Sequence, residues 1–185
     1  LVDFGATALL PGMVSVSIIR EIGPVITGLI CAGKMSSGIG AELGSMRVTE
    51  QIDAMEVSGV KPLKFLVVTR VLSTTLIVPL LVFFADAIAL LGSYLAIQMR
   101  ADLSLTLFFS QAFSTLSFTD IFPAVIKTLF FGYFIGLIGS FKGYYCEKGT
   151  EAVGIAANEA VVAASIAIFI INLLAVQIVD LVTNL

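Results

Sequence analysis

The sequence predicts an all-α, polytopic membrane protein with about four transmembrane helices. Of its 185 residues, 58% are hydrophobic and only 12% are charged, whereas soluble domains carry about 25% charged residues. The mean hydropathy is +1.08. Such a chain has too few polar groups to cover a soluble fold and is too apolar to be disordered. Four stretches approach or exceed the roughly 20 apolar residues that a bilayer-spanning helix needs.

The composition also excludes several functions. Histidine is absent, so the chain can form no imidazole metal site and no His-based acid–base centre. The net charge of −3 gives no electrostatic basis for binding nucleic acid. Cys31 and Cys146 are the only cysteines, and two thiols alone cannot form a zinc site. We therefore expect no metal and no cofactor in this chain, and we do not expect an enzyme.

The N-terminal part contains one weak span. Residues 1–21 are interrupted by Pro11-Gly12, which indicates an outer, interfacial segment or the end of a preceding span. The chain begins with leucine, so we expect that residues are missing at its N-terminus. The first span is predicted at 22–46, where Lys34 requires shielding by protein because a charge in lipid is costly.

Segment 47–70 combines acidic residues with helix-breaking residues. Thr49 is predicted to cap a short amphipathic helix that Gly59 and Pro62 end. We interpret this helix as a docking site for a cytoplasmic partner; a solvated surface and a carboxylate metal site are the alternatives. Three acidic residues at a spacing of three share one helical stripe: Glu50, Asp53 and Glu56.

The remaining spans follow in order, with one compact domain containing all of them. We predict spans at 71–97, 121–141 and 160–182 and a second cytoplasmic loop at 142–159. The outer loop at 98–120 is predicted to contain an interfacial helix. The segments 47–70 and 142–159 hold six basic residues, against two on the other side. The positive-inside rule therefore places those two segments in the cytoplasm and the C-terminus on the outer side.

Five charged residues lie in or beside the spans, and their positions all correspond to the outer half of the membrane. Asp86 and Lys127 are at similar depth, which allows them to pair. Charges inside a membrane are candidate functional residues, which predicts an outward-facing polar cavity suited to an amphiphile with a charged head. The alternative is that these charges are structural: Lys127 snorkels toward the membrane surface and the other charges pair with one another. The proposed substrate pathway comprises Arg20, Glu21, Asp86, Lys127 and Asp180.

Small residues recur every four positions in the first span, including Ser36, Gly40 and Gly44. Such rows allow helices to approach closely in lipid. They are typical of packing within one chain, and the alternative is a seam between two copies.

One ordered set of motifs resembles a known family. It consists of Arg20-Glu-Ile-Gly-Pro24, Ala32-Gly-Lys34, Ala41-Glu-Leu-Gly44 and Thr49-Glu-Gln-Ile-Asp-Ala-Met-Glu-Val57, followed by Pro62 and Arg70. The sequence resembles the MlaE/YrbE permeases, the membrane subunits of MCE-type ABC lipid transporters. The resemblance extends from about residue 5 to the C-terminus, and it implies five spans in the full-length protein.

The resemblance also implies partners and a location. These are a homodimer, a separate cytoplasmic ABC ATPase that binds ATP and magnesium, an MCE-domain protein on the outer side, and membrane lipid as cargo. The location implied is the bacterial inner membrane. The docking helix then becomes a coupling helix, with Arg47, Thr49, Glu50, Asp53 and Glu56 as its ATPase-coupling residues. The alternative function is a gradient-driven secondary transporter or channel that uses the intramembrane charges.

Overall fold

The computed structural model describes residues 9–99 and 104–183, which form a bundle of helices with no strand in those ranges. Four helices are long and apolar enough to cross a membrane, which confirms the predicted fold class. They are α1 (Leu10–Val48), α3 (Leu63–Gln98), α5 (Phe118–Tyr144) and α6 (Thr150–Thr183), and the two short helices are α2 (Gln51–Val57) and α4 (Leu105–Thr115).

Helix α1 continues through the predicted boundary between residues 21 and 22. Pro11 is in its first turn, where a proline costs no hydrogen bond. Gly23-Pro24 does not end the helix either, because the preceding residues Ile18–Ile22 widen into a π-helical turn in which the Gly23 N–H bonds to the Ile18 carbonyl. Residues 10–21 are therefore continuous with the predicted first span in one helix, and residues 1–8 lie outside the described part of the chain.

One end of the bundle, which we call the basic end, contains the α1–α2–α3 connections and the α5–α6 loop. Helix α2 begins at Gln51, after Glu50 adopts a left-handed conformation with φ 59°. The Thr49 hydroxyl bonds back to the Ser45 carbonyl of α1, so the predicted Thr49 cap is wrong. Gly59, with φ +80°, closes the turn after α2 because a residue without Cβ tolerates positive φ.

Of the other two connections, the α5–α6 loop is shorter than predicted, and the 98–120 segment contains a helix as predicted. Helix α6 starts at Thr150, so the predicted loop 142–159 shrinks to 145–149 because α5 and α6 both extend beyond their apolar spans. The region 98–120 contains α4, which Ser104 caps by accepting the Leu107 N–H. Residues 100–103 are outside the described ranges. We call this side of the bundle the far end.

The four long helices pack through small residues at their crossings. A Cβ on Gly132 of α5 would lie 2.4 Å from the Thr74 carbonyl oxygen of α3. Further along α5, a Cβ on Gly143 would lie 2.6 Å from the Gly40 carbonyl oxygen of α1. The middle of the bundle is filled by apolar side chains from all four helices. Close backbone approach of this kind is how helices associate in lipid, where dispersion rather than water drives packing.

The small-residue row of α1 is used inside the chain. Ser36 is buried and donates to the Ala160 carbonyl of α6 at 3.2 Å. A Cβ on Gly40 would be 3.4 Å from the Ala157 Cα, and Gly44 is against Val153. All three residues therefore contact α6 within the chain.

Candidate functional site

A closed ring of polar side chains joins three long helices in the half of the bundle nearer the far end. The Lys127 Nζ donates to Glu21 Oε1 at 3.0 Å and to Asn172 Oδ1 at 3.1 Å. The Asn172 Nδ2 in turn donates to Glu21 Oε2 at 3.2 Å. The Lys127 side chain is only 4% exposed. Because a buried ammonium needs several partners, this ring is what allows a lysine inside an apolar helix.

Lys127 also supports the backbone of α1. Its ammonium group donates a third hydrogen bond, to the carbonyl oxygen of Arg20. In a regular α-helix that carbonyl would accept the N–H four residues later, but the residue there is Pro24, which has no N–H. A side chain from a neighbouring helix thus replaces a missing backbone donor, as apolar surroundings require.

The side chain of Arg20 extends in the other direction and holds two acidic residues. Its guanidinium is 3.3 Å from Asp180 Oδ1 of α6 and 3.8 Å from Asp120 Oδ1 of α5. Asp120 also accepts the Ser117 N–H at 3.2 Å in the capping box that starts α5. Arg20 and Lys127 therefore connect α1 to both α5 and α6.

Asp86 does not pair with Lys127, although the sequence allowed it. Depth along a helix favours that pair, but the ammonium of Lys127 is oriented toward Glu21 instead. Asp86 Oδ1 is buried and has no hydrogen-bond partner in the described part of the chain. It lies against Gly23, where a Cβ would come within 1.6 Å of it, so Gly23 makes room for this carboxyl group.

The ring borders a narrow recess rather than a large cavity. The recess has a volume of about 20 Å³ and is lined by Arg20, Glu21, Asp120, Lys127, Val176 and neighbouring residues. That volume suits about one water molecule. The predicted polar cavity for an amphiphile is therefore absent from the described part of this single chain in this conformation. Passage of a larger molecule requires these helices to separate or a second copy to contribute walls.

Four of the five predicted pathway residues come together around this recess, whereas Asn172 was not predicted. The prediction rested on charged groups in the spans, and the span at 160–182 contains none before Asp180. An asparagine in the middle of an apolar helix was the available signal, because an amide in lipid also requires hydrogen-bond partners.

A second group of polar residues lies at the basic end, around α2. Arg47 pairs with Asp53 at 2.6 Å, the Tyr144 hydroxyl donates to Glu56 at 3.4 Å, and Lys148 is 3.9 Å from Glu50. Each member of the predicted acidic stripe is thus held by a residue of the same chain.

An apolar anchor fixes α2 to the bundle. Ile52 is fully buried among Leu43 of α1, Leu66 of α3 and Tyr144 of α5. On the opposite side of α2, Ala54 is exposed and Val57 is 91% exposed. The surface that α2 offers to a partner therefore has a small apolar centre with carboxylates around it. We call Gln51, Ala54 and Val57 the outward face of α2.

A groove of about 480 Å³ lies beside this helix, between its C-terminal turn and the start of α3. Its lining residues are Glu56, Gly59, Val60, Lys61, Pro62, Leu63, Lys64 and Tyr144. Within residues 9–99 and 104–183, no cluster of three or more Cys, Asp or Glu side chains has the arrangement of a metal site.

Sequence comparisons relate the chain to known permeases. The profile of the family described as Permease MlaE matches residues 1–178. A probable ABC transporter permease protein of Rickettsia prowazekii is 38% identical over 175 residues, covering 95% of this chain and 68% of that protein. The intermembrane phospholipid transport system permease protein MlaE of Haemophilus influenzae is 32% identical, covering 91% and 65%. The chloroplastic protein trigalactosyldiacylglycerol 1 of Arabidopsis thaliana is also 32% identical, covering 90% and 47%.

Proposed function

We propose that this chain, which belongs to the MlaE permease family, forms the membrane pathway of an ABC-type lipid transporter. Its cargo would be a phospholipid or related lipid, moved between the inner membrane and an MCE-domain protein. The family match carries the proposal, together with the similarity to the phospholipid transport permease of Haemophilus influenzae. In this function the chain performs no chemistry, and a separate ATPase binds ATP and magnesium.

The basic end would face the cytoplasm of a bacterium and the far end the periplasm. The basis is the excess of lysine and arginine in the segments 47–70 and 142–159, which comprise the connections at the basic end and the adjoining helix ends. In this orientation the Glu21–Lys127–Asn172 ring and the Arg20 pairs are in the outer half of the membrane. The C-terminus, which follows Asp180, would then be on the outer side.

The lipid pathway would open where the recess is now narrow. Arg20, Glu21, Lys127 and Asp180 bridge α1, α5 and α6 there, and Asp86 adds a carboxyl oxygen without a hydrogen-bond partner among the described residues. Separation of α1 from α5 and α6, in a homodimer, would expose these charges to a lipid headgroup. The same pairs would hold the pathway closed in the absence of lipid.

Coupling to the ATPase would occur through the outward face of α2. The acidic residues Glu50, Asp53 and Glu56 have partners within the chain, so they would surround the contact without forming its centre. Val57 and Ala54 would form the apolar contact with the ATPase. Because Ile52 is buried among side chains of α1, α3 and α5, a push on α2 would reach all three helices.

The test is a tagged pull-down of the full-length protein from its native membranes, with mass spectrometry of all retained proteins. We expect a P-loop ATPase and an MCE-domain protein with the wild type, and loss of the ATPase with Val57→Asp. Glu147→Lys, an exposed change in the α5–α6 loop, is the matched control and should retain both partners.

Two outcomes would contradict the proposal. Recovery of the wild-type permease alone, in detergent that preserves known membrane complexes, would favour the gradient-driven transporter. In that case the buried Lys127–Glu21 pair would be a candidate for ion coupling. Retention of the ATPase by Val57→Asp would exclude the outward face of α2 as the contact.

A further inference from the structure

The N-terminal part of α1 has different packing partners from the rest of the helix. Residues Leu10–Ser17, which we call the arm, pack chiefly against α4 rather than against α5 or α6. Ser15 donates to the Ala112 carbonyl of α4 at 3.0 Å. A Cβ on Gly12 would come within 2.4 Å of Thr115 Oγ1. The arm and α4 thus form a tightly packed pair, which we call the arm unit.

The junction between the arm and the rest of α1 is a break in the helical hydrogen-bond pattern. The π-helical turn Ile18–Ile22 lies directly before Gly23-Pro24. Proline and π-turns are the usual causes of bends in helices, and a π-turn often marks a functional position. At this junction the backbone is supported by the Lys127 bond to the Arg20 carbonyl.

We propose that this junction is a hinge, that Lys127 is the positioning residue that latches it, and that the arm unit moves about it as one body. Lys127 can act as a latch because its bond to a backbone carbonyl fixes the path of α1, independently of the ion pair with Glu21. The other two hydrogen bonds of the ammonium group go to Glu21 and Asn172, and a neutral amide at position 21 could accept one of them as well. Release of this bond would free α1 to bend at Pro24 and to widen the recess beside Arg20.

The junction contacts α3 through a close approach at Gly23. Gly23 has no side chain, and it lies against the carboxyl group of Asp86, whose buried oxygen has no hydrogen-bond partner within the described residues. Beyond α4, the arm unit contacts the end of α3 through the Tyr94–Phe108 ring pair at 5.5 Å. Ile97 of α3 and Phe109 of α4 pack against the same cluster, so the arm unit would pivot against α3 at this apolar cluster.

The link to lipid passage rests on the proposed function, but the hinge can be tested without transport. Spin labels would be placed on the arm at Met13 and on α6 at Phe169, both exposed, in the full chain with Cys31 and Cys146 replaced. Phe169 is next to Ile168, which lies against Gly28 of α1. The label at Met13 is therefore about 22 Å from the level of Phe169 along the axis of α1. Labelled chain is diluted with unlabelled chain in nanodiscs, so that pulsed dipolar spectroscopy reads distances within one copy.

We expect Lys127→Met to broaden and shift the Met13–Phe169 distance distribution. A second reporter on α4, Phe113 paired with Phe169, should broaden in the same way because the arm unit moves as one body. The Ile30–Val57 pair, away from the junction, is the control and should not change. Adding Pro24→Ala to Lys127→Met should restore the narrow distribution, because an alanine at that position supplies the N–H that the Arg20 carbonyl lacks.

The variant Glu21→Gln tests whether the backbone bond of Lys127 or its ion pair with Glu21 keeps the distance distribution narrow. It removes the charge on Glu21 and leaves the Lys127 bond to the backbone, so the distribution should stay narrow. Equal broadening in Glu21→Gln and Lys127→Met would assign the effect to the ion pair and overturn the proposal. So would an unchanged Lys127→Met distribution, or a broadened one that Pro24→Ala fails to narrow.

If Lys127→Met does not accumulate in the membrane, accumulation itself becomes the readout. The comparison is then made in the Glu21→Gln background, which has no unpaired carboxylate. Recovery of Lys127→Met/Glu21→Gln by Pro24→Ala supports the latch, and failure of this variant to recover overturns it. A missing ATPase partner would leave all of these results unchanged, so failure of the hinge and failure of the transporter function are distinguishable.

Discussion

The two ends of the bundle use the same pairing chemistry in opposite surroundings. Near the far end, Lys127 is 4% exposed and has three hydrogen-bond partners. At the basic end, Lys148 is 87% exposed and lies 3.9 Å from Glu50. The first lysine is enclosed by three helices, whereas the second is in contact with solvent.

This difference determines what holds each region together. Removing one member of a buried pair leaves a charge in apolar surroundings, which is strongly destabilising. Exposed pairs are screened and contribute little. We therefore infer that polar contacts fix the geometry near the far end, whereas at the basic end the apolar anchor Ile52 fixes α2. Each prediction below changes one region at a time.

The largest effect is expected from Lys127→Met. The substitution removes the partner of Glu21 and the support of the Arg20 carbonyl together. Breaking a buried pair costs about 3–5 kcal/mol, and because the Glu21 side chain remains 38% exposed we expect about 3 kcal/mol. The measurement is the free energy of unfolding in mixed micelles titrated with SDS.

The double variant Lys127→Met with Glu21→Gln is the matched control. It removes the unpaired carboxylate, so it should recover at least about 1 kcal/mol of the lost stability. A double variant no more stable than Lys127→Met would show that the charge of Glu21 is not what destabilises the single variant.

A smaller loss is expected from Ile52→Ala at the basic end. Truncation of a buried isoleucine costs about 2–5 kcal/mol, depending on how well the site relaxes. Helix α2 is short and lies at the edge of the bundle, so we expect about 2 kcal/mol in the same unfolding measurement. Val57→Ala, on the exposed face of the same helix, should be close to neutral. Equal losses in both variants would contradict the anchoring role of Ile52.

Much of the architecture could be predicted because hydropathy alone defines a spanning helix. The four spans and the short α2 and α4 follow from apolar stretches and their interruptions. The ends of the helices could not be predicted in the same way. The apolar stretch suggests a first span that begins at residue 22, but the π-turn before Pro24 allows α1 to continue across that point. Helix α6 begins at Thr150, well before its apolar part, because helical hydrogen bonds do not require apolar side chains.

The sequence could not predict which charged residues pair, for a geometric reason. The position along a span gives the depth of a residue but not the direction in which its side chain extends around the helix axis. Asp86 and Lys127 agree in depth, yet the ammonium of Lys127 turns to α1 and α6. The roles of Ser36 and Gly40 were uncertain for the same reason, because a row of small residues does not reveal which helix covers it.

The smallest effect is expected from Lys148→Ala, and it tests the comparison most directly. The pair with Glu50 is long, both side chains are mostly exposed, and salt screens it. We expect the free energy of unfolding to change by less than about 0.5 kcal/mol. Its dependence on ionic strength should be the same in the variant as in the wild type. Helix α2 should stay in place because Ile52 remains buried among Leu43, Leu66 and Tyr144. A loss comparable to that of Lys127→Met would mean that exposed charge pairs, and not the apolar anchor, hold α2 to the bundle.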